Sequence, residues 1–166
     1  MKTIADHTIH QEKINQVWQL LQEVCDPEIP VLTIIDLGIV RNIFVDDTEQ
    51  LVIQITPTYS GCPAMDAISV DIKLKLIENG IQHFKVQQIL SPAWTTDWMS
   101  ETGKAKLNAY GIAPPSASHL ANNTTPACPQ CHSNNTKLLS QFGSTSCKAL
   151  YQCYDCKEPF DYFKCH

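Results

Sequence analysis

The sequence predicts an α+β fold, in which a small mixed sheet packs against helices and a short cysteine-rich unit follows. Three observations support this prediction. Apolar residues recur at three- and four-residue steps in two segments, which is typical of amphipathic helices. Short β-branched runs between turn residues predict strands. The last 39 of the 166 residues contain two Cys-x-x-Cys pairs and cannot bury a useful core alone.

The first helix is predicted from about Gln11 to Cys25, which makes Cys25 a core residue. Its apolar stripe consists of Ile14, Val17, Trp18, Leu21 and Val24. Pro27 stops the helix, so the segment Asp26-Pro27-Glu28-Ile29-Pro30 is predicted to be an ordered turn.

The later elements follow from the same patterns. The predicted elements are strands at 39–45, 51–56 and 84–90, and helices from about Ala67 to Gly80 and from about Asp97 to Ala109. The first two strands are predicted to form a β-hairpin. The order α-β-β-α-β-α then predicts one small sheet with packed helices.

The composition describes a globular, lightly charged protein. The formal net charge is −5 and the pI about 5.6, so no basic field favours nucleic acid or an anionic membrane. No segment approaches the roughly 20 apolar residues of a membrane-spanning helix, and the N-terminus lacks a signal-peptide pattern. We therefore expect a cytoplasmic protein, whose eight cysteines are metal ligands or reactive thiols.

Residues 112–127 are rich in Pro, Ser, Asn and Thr and lack periodicity, which predicts a linker between a domain at 1–111 and a small unit at 128–166. In the small unit, 21 residues separate Cys128-Pro-Gln-Cys131 from Cys153-Tyr-Asp-Cys156. Each pair can direct two thiolates at one point, so the four cysteines predict a tetrahedral site for zinc, iron or another thiophilic metal. Two disulfides are the alternative. With structural zinc, the unit is predicted to be a zinc ribbon.

Cys62 is the candidate for chemistry outside those pairs. Pro63 suits the first position of a helix, which places Cys62 at or beside the N-cap. Free N–H groups and the helix dipole there are expected to lower the pKa of the thiol, and Gly61 permits a sharp turn that exposes it. Such a thiolate serves as a nucleophile, a redox centre, or a metal or cluster ligand. The alternative is a small buried side chain that caps the helix.

Several motifs resemble a known family when they are taken together and in order. They are Asp26-Pro27-Glu28, Asp36-Leu37-Gly38-Ile39-Val40 and Thr56-Pro57-Thr58-Tyr59-Ser60-Gly61-Cys62-Pro63. With them, the first two-thirds of the chain resemble the SufT-like domain family, which is linked to iron–sulfur cluster assembly. The segments 142–149 and 158–165 narrow the resemblance to the D-protein subfamily of the bacterial phenylacetyl-CoA epoxidase system. Ser60 is a departure, since many relatives have Pro there.

The resemblance implies an accessory protein, and not an enzyme, for a multicomponent monooxygenase of phenylacetate catabolism. Its partners would be the epoxidase subunits, most directly the iron–sulfur reductase or the di-iron oxygenase, and a homodimer is compatible with it. The reactive cysteine of the family maps onto Cys62, and its acidic turn onto Asp26 and Glu28. Cys62 would then handle a transient iron–sulfur cluster or iron, with the ribbon as a structural and docking element.

Four residues remain as weaker candidates. Asp26 and Glu28 flank a proline in a turn, and turn formation alone would account for both acids. Cys147 and Cys165 lie outside the Cys-x-x-Cys pairs. They are candidates for a second thiol or metal site, and ordinary packing is the alternative.

Other functions are weighed against this interpretation. A ribbon can act as a protein-interaction or nucleic-acid-binding module without cluster transfer. Residues 128–166 carry four lysines against three acids, a net charge of +1, which favours a protein partner over nucleic acid. A thiol enzyme is disfavoured because no His–Asp or His–Asn pair accompanies Cys62 in sequence, and no Glu-x-x-His motif indicates a di-iron oxygenase.

Overall fold

The structure is a computed structural model that describes residues 4–115 and 125–164, with side chains from Ile9 onward. The chain divides into two compact units, Met1–Trp94 and Thr95–His166. The first contains a three-stranded sheet and the second a four-stranded sheet. This confirms the α+β fold with a small mixed sheet and a second, cysteine-rich sheet.

The first unit contains two helices and three strands. They are α1 (Ile4–Leu21), β1 (Val40–Val45), β2 (Leu51–Ile55), α2 (Ala64–Glu78) and β3 (Phe84–Gln88). β1 and β2 form an antiparallel hairpin, as predicted, and β2 pairs in parallel with β3. The parallel pairing requires a crossover, and α2 supplies it.

The core of the first unit lies between the central strand β2 and the two helices. Val17 of α1, Ile53 of β2 and Ile72 of α2 are completely buried. This burial accounts for the three- and four-residue apolar periodicity in the helices and fixes where β2 ends. The loop that leaves β2 therefore starts at a defined position and leads directly into α2.

The turn after α1 departs from the sequence prediction. α1 ends at Leu21, before the predicted end at Cys25. Val24 is buried, but Cys25 is exposed and forms an isolated antiparallel bridge with Thr33. The prediction that Cys25 is a core residue is therefore wrong, because the backbone there is already bridged like a strand and no longer follows the helical face.

The second unit begins with two short helical segments. The predicted helix at 97–109 is a 3₁₀ turn (Thr96–Trp98) followed by α3 (Glu101–Tyr110), because Met99 is extended. Ser100 caps α3 by accepting a hydrogen bond from the N–H of Gly103 at 2.8 Å. Gly111, at a φ of +90°, ends α3 in the left-handed conformation.

The ribbon sheet contains four strands in the order β4-β7-β6-β5. The strands are β4 (Ile112–Ala113), β5 (Thr136–Ser140), β6 (Lys148–Cys153) and β7 (Pro159–Phe163). β5, β6 and β7 pair antiparallel, whereas β4 runs parallel to β7. The three antiparallel strands lie where short β-prone segments occur in the sequence, and β4 does not.

Two features of the second unit differ from the predicted domain organisation. Ile112 and Ala113 fall in the predicted linker but form β4, because both side chains are buried and the backbone pairs with β7. α3 lies in the second compact unit, whereas the predicted first domain, at 1–111, included it. Linker residues 116–124 lie outside the described residues. No helix in the described ranges combines the length and apolar content needed to cross a membrane.

Candidate metal centre and cysteine site

The four cysteines of the two Cys-x-x-Cys pairs lie together in the second unit. Their sulfur atoms are all within 4.8 Å of one another. The Sγ atoms of Cys128 and Cys156 are 3.7 Å apart, and those of Cys131 and Cys153 are 3.5 Å apart. The close pairs join different Cys-x-x-Cys turns, so the two turns face each other across one point.

These distances fit a shared metal ion and exclude disulfides in this arrangement. Sulfurs at the corners of a tetrahedron with Zn–S distances of about 2.3 Å would lie about 3.8 Å apart. A disulfide would require about 2.05 Å. Four thiolates without an open position suit a closed structural zinc site, and they would also bind iron. Bound zinc would cross-link the two turns.

The two turns have the same backbone geometry. The N–H of Cys128 donates to the carbonyl of Ser133 at 2.9 Å, and the N–H of Cys153 donates to that of Glu158 at 3.0 Å. The residue after the second cysteine of each pair has a positive φ, 62° at His132 and 69° at Lys157. This repeated conformation turns both sulfurs of each pair inward. His132 is exposed at such a corner.

The neighbouring thiols influence each other's ionisation. The pKa of Cys153 is lowered to about 7, mainly because the N–H of Cys156 donates to its sulfur. The N–H of Glu158 lowers the pKa of Cys156, but burial and the neighbouring thiols outweigh it and raise that pKa to about 12. Such divergence is expected of coupled groups that cannot all become negative at one point. A divalent cation removes this conflict.

Three polar residues connect the two turns, and the sequence offers no signal for their contact. Asp155 accepts hydrogen bonds from the hydroxyl of Ser133 and from the side-chain amide of Asn135, the latter at 2.8 Å. The hydrogen bond from Ser133, followed by that from Asn135, lowers the pKa of Asp155. These contacts hold the turns in register around the four sulfurs.

The second thiol site stays a prediction. Cys147 is buried and lies 3.1 Å from the hydroxyl oxygen of Thr145. Its sulfur is not among the four that cluster. Cys165 lies outside the described residues, so the structure does not place the two thiols relative to each other.

Cys62 lies immediately before α2, whose N-cap is Pro63. Its N–H donates to the carbonyl of Tyr59 at 3.2 Å, which closes a four-residue turn. Gly61 has a φ of +84°, as the third position of a type II turn requires. The sulfur is half-buried and accepts a hydrogen bond from the N–H of Ala64, in the first turn of α2.

The pKa of the Cys62 thiol is raised above its ordinary value. Burial is the main cause, and the negative charges of Glu28 and Asp26 act in the same direction. The N–H of Ala64 and the hydroxyl of Thr58 lower the pKa, but they do not outweigh the other causes. The expectation of a lowered pKa is therefore wrong, because burial and two carboxylates exceed the effect of the helix terminus.

The acidic turn contributes to this environment and is also a structural element. Asp26 is buried, and its Oδ1 accepts hydrogen bonds from the N–H groups of Glu28 and Ile29, both at 2.8 Å. Both acids act electrostatically on Cys62. Among the described residues, however, three or more ligand atoms come within 4.8 Å only at the four clustered cysteines. Asp26, Glu28 and Cys62 thus form an electrostatic group and not a closed metal site.

We expect Glu28→Gln to lower the pKa of Cys62 and Thr58→Val to raise it. The first change removes a negative charge that disfavours the thiolate, and the second removes a hydrogen bond that favours it. Alkylation of Cys62 by iodoacetamide, followed by mass spectrometry across a pH series, measures both shifts. Glu78→Gln, at the opposite end of α2, is the matched control. An unchanged profile in Glu28→Gln would contradict the electrostatic assignment.

Comparisons with known proteins assign both halves of the chain. Residues 14–87 match the family described as iron–sulfur cluster assembly protein. Residues 112–164 match the PaaD zinc beta ribbon domain. Cys62 lies within the first match and the four clustered cysteines lie within the second.

Individual relatives extend these matches. A factor of Porphyromonas gingivalis named Fe-S protein maturation auxiliary factor is 34% identical over 54% of this chain and 85% of its own length. The crystal structure of a DUF59 domain from Bacillus anthracis has a TM-score of 0.56 and 29% identity, over 61% of this chain and 96% of that one. Both matches cover little more than half of this chain.

One relative matches across nearly the whole chain. The D protein of 1,2-phenylacetyl-CoA epoxidase in Escherichia coli (strain K12) is 50% identical over 161 residues, which are 95% of this chain and 96% of that protein. The match therefore spans the cluster-assembly part and the ribbon together. By this identity, and by the two family matches in the same order, the chain belongs to the PaaD family.

Proposed function

We propose that this chain is an accessory maturation factor for a phenylacetyl-CoA ring epoxidase in phenylacetate degradation. It assists the delivery of an iron–sulfur cluster or iron through Cys62, and it is not itself an enzyme. The name of the Escherichia coli relative and the Fe-S maturation names of the shorter relatives support this role.

The observation that carries this proposal is the electrostatic environment of Cys62. Glu28 and Asp26 disfavour a free thiolate, and the same charges favour a cation beside the sulfur. A thiol held mainly in its protonated form is a poor nucleophile at neutral pH. It becomes a ligand when incoming iron displaces its proton to solvent, so this environment suits iron cargo better than nucleophilic catalysis.

The limited number of ligands at Cys62 suits transfer better than storage. The sulfur is half-buried, so one side of it stays accessible. Asp26 is already engaged by two backbone N–H groups. A donor or acceptor protein would supply the remaining ligands to the iron or cluster, and release would follow its departure. The iron–sulfur reductase or the di-iron oxygenase of the epoxidase is the proposed acceptor.

The ribbon acts as a structural and docking element in this proposal. Zinc at the four cysteines stabilises the small sheet, and no catalytic position is left open. Exposed Leu138, Leu139 and Phe142 supply apolar surface for contact with an epoxidase component.

Cys62→Ser is expected to abolish the accessory function while zinc content and folding stay unchanged. Cells that carry the epoxidase genes with this variant should lose ring epoxidation, and the purified reductase should contain less iron and acid-labile sulfide. Cys25→Ser is the matched control, since Cys25 is an exposed cysteine of the same unit. Normal epoxidation and a normal iron content with Cys62→Ser would exclude the proposed role of this thiol.

A spectrum separates direct carriage from recruitment of another factor. Under anaerobic conditions, the wild-type protein incubated with iron and sulfide should show sulfur-to-iron charge-transfer absorption that is absent from Cys62→Ser. If epoxidation depends on Cys62 but this difference is missing, the thiol acts without carrying the cluster.

A second candidate function is a protein-interaction module without cluster transfer. The exposed apolar residues of the ribbon favour it, because Leu139 is 47% and Phe142 is 61% exposed. Under this alternative, Leu139→Ser with Phe142→Ser would abolish epoxidation, whereas Cys62→Ser would not. The ribbon's near-neutral charge argues against a nucleic-acid module.

A further inference from the structure

α2 carries apolar residues on two opposite faces. One face is buried in the core through Ile68, Ile72 and Leu76. The other bears Val70, Leu74 and Ile77, which are 51%, 52% and 53% exposed. Their spacing of four and three residues aligns them in one stripe along the helix. A helix that is apolar on both sides normally has protein packed against each of them.

A groove adjoins this stripe within the same unit. We call it the α2 groove, and its apolar part is formed by Val24, Cys25 and Leu74. Its volume is about 170 Å³. A cavity of about 150 Å³ accommodates benzene, so the groove has room for one large apolar side chain. Leu74 belongs to both the stripe and the groove and makes them one continuous surface.

The rim of the α2 groove is acidic. Three carboxylates, of Glu23, Asp71 and Glu78, surround it together with the single ammonium group of Lys75. Lys75 is already paired with Glu23. Asp71 and Glu78 have no hydrogen bond or ion pair among the described residues. They are two helical turns apart, about 10 Å along the axis, on either side of Leu74.

From this complementarity we propose that the exposed stripe and the α2 groove bind a basic amphipathic helix of a protein partner. Leucine-like side chains of that helix enter the groove and cover the stripe, and two lysines or arginines at two-turn spacing meet Asp71 and Glu78. A second copy of this chain is disfavoured, because antiparallel pairing of two α2 helices would bring acidic flank against acidic flank.

The site is separate from the proposed transfer thiol. Leu74 follows Cys62 by 12 residues, which corresponds to about 18 Å along α2. A partner helix on the α2 groove would leave Cys62 accessible. The proposal does not depend on cluster transfer, and its test uses a readout that does not involve iron.

Two synthetic amphipathic helical peptides test the proposal by fluorescence polarisation with the zinc-loaded full chain. Both have leucines at three- and four-residue spacing, and they differ only in lysines or glutamates flanking the leucines. The lysine peptide should bind and the glutamate peptide should not. Leu74→Ala should weaken binding about tenfold through lost apolar contact. Asp71→Asn with Glu78→Gln should weaken it about fivefold, and more at low salt than at high salt.

Controls and a charge reversal make the result decisive. Asp66→Asn removes an acid from the first turn of α2, away from the groove, and should leave binding unchanged. Cys62→Ser should leave it unchanged as well. Asp71→Lys with Glu78→Lys should reject the lysine peptide and bind the glutamate peptide. Equal binding of both peptides, or a wild-type profile in the reversed variant, would overturn the proposal. So would a dimer of the chain that Leu74→Asp dissociates.

Discussion

Replacing Cys153 with serine is expected to remove the metal and unfold the ribbon sheet. Cys153 is fully buried, and its sulfur lies 3.5 Å from that of Cys131 on the facing turn. In small zinc domains, metal binding contributes about 10–16 kcal/mol of folding free energy, far more than so small a core supplies. Elemental analysis should find about one zinc per wild-type chain and none in the variant.

The matched control for this experiment is Cys147→Ser. Cys147 is also a buried cysteine of the ribbon, but its sulfur lies outside the cluster of four. This variant should keep its zinc. Hydrogen exchange should show lost protection in β5, β6 and β7 for Cys153→Ser, while β1, β2 and β3 stay protected. Zinc retained by Cys153→Ser, or lost from Cys147→Ser, would show that the ligand set is wrong. A chelator should reproduce the Cys153→Ser pattern in the wild-type protein.

The second large effect is expected at Asp26. Asp26→Ala removes an acceptor of two backbone hydrogen bonds at 2.8 Å and leaves the N–H of Ile29 in a buried position without its partner. Hydrogen bonds to a charged acceptor contribute about 1.5–3 kcal/mol each, so we expect a loss of about 3 kcal/mol of unfolding free energy in the first unit. Urea unfolding followed by tryptophan fluorescence, together with exchange of the Ile29 amide, measures this loss.

Asp26→Asn separates the structural role of Asp26 from its electrostatic role. The amide oxygen can accept the same two N–H groups, so most of the stability should return. The charge is absent, so the pKa of Cys62 should fall. If the asparagine variant is stable but fails to support epoxidation, the carboxylate acts on Cys62 in addition to forming the turn. Wild-type stability of Asp26→Ala would contradict the assigned turn.

The elements that the sequence predicts well are those with a strong local pattern. The apolar periodicity around Ile68 and Ile72 locates α2, because helix geometry makes residues three and four apart share a face. Two β-branched runs around a short turn locate the β1–β2 hairpin. β4 was missed, because Ile112 and Ala113 are too short a run to show alternation and are strand only through pairing with β7.

The same distinction holds at the candidate sites. Two Cys-x-x-Cys pairs are a local signal, so the metal ligands could be identified without the fold. The bracing of the two turns by Asp155 could not, since its partners lie 20 or more positions away in sequence. The ionisation of Cys62 was predicted in the wrong direction, because the helix terminus is visible in the sequence and the approach of Glu28 is not.

The order of secondary structure, the ligands of the metal centre and the importance of Cys62 could all be read from the chain alone. These features rest on interactions between residues that are close in sequence or on residue types with one dominant chemistry. The pKa of Cys62, the exposure of Cys25 and the acidic rim beside Leu74 depend on distances between separate elements. Electrostatic and packing energies follow distances in space, so folding of the first unit decides them.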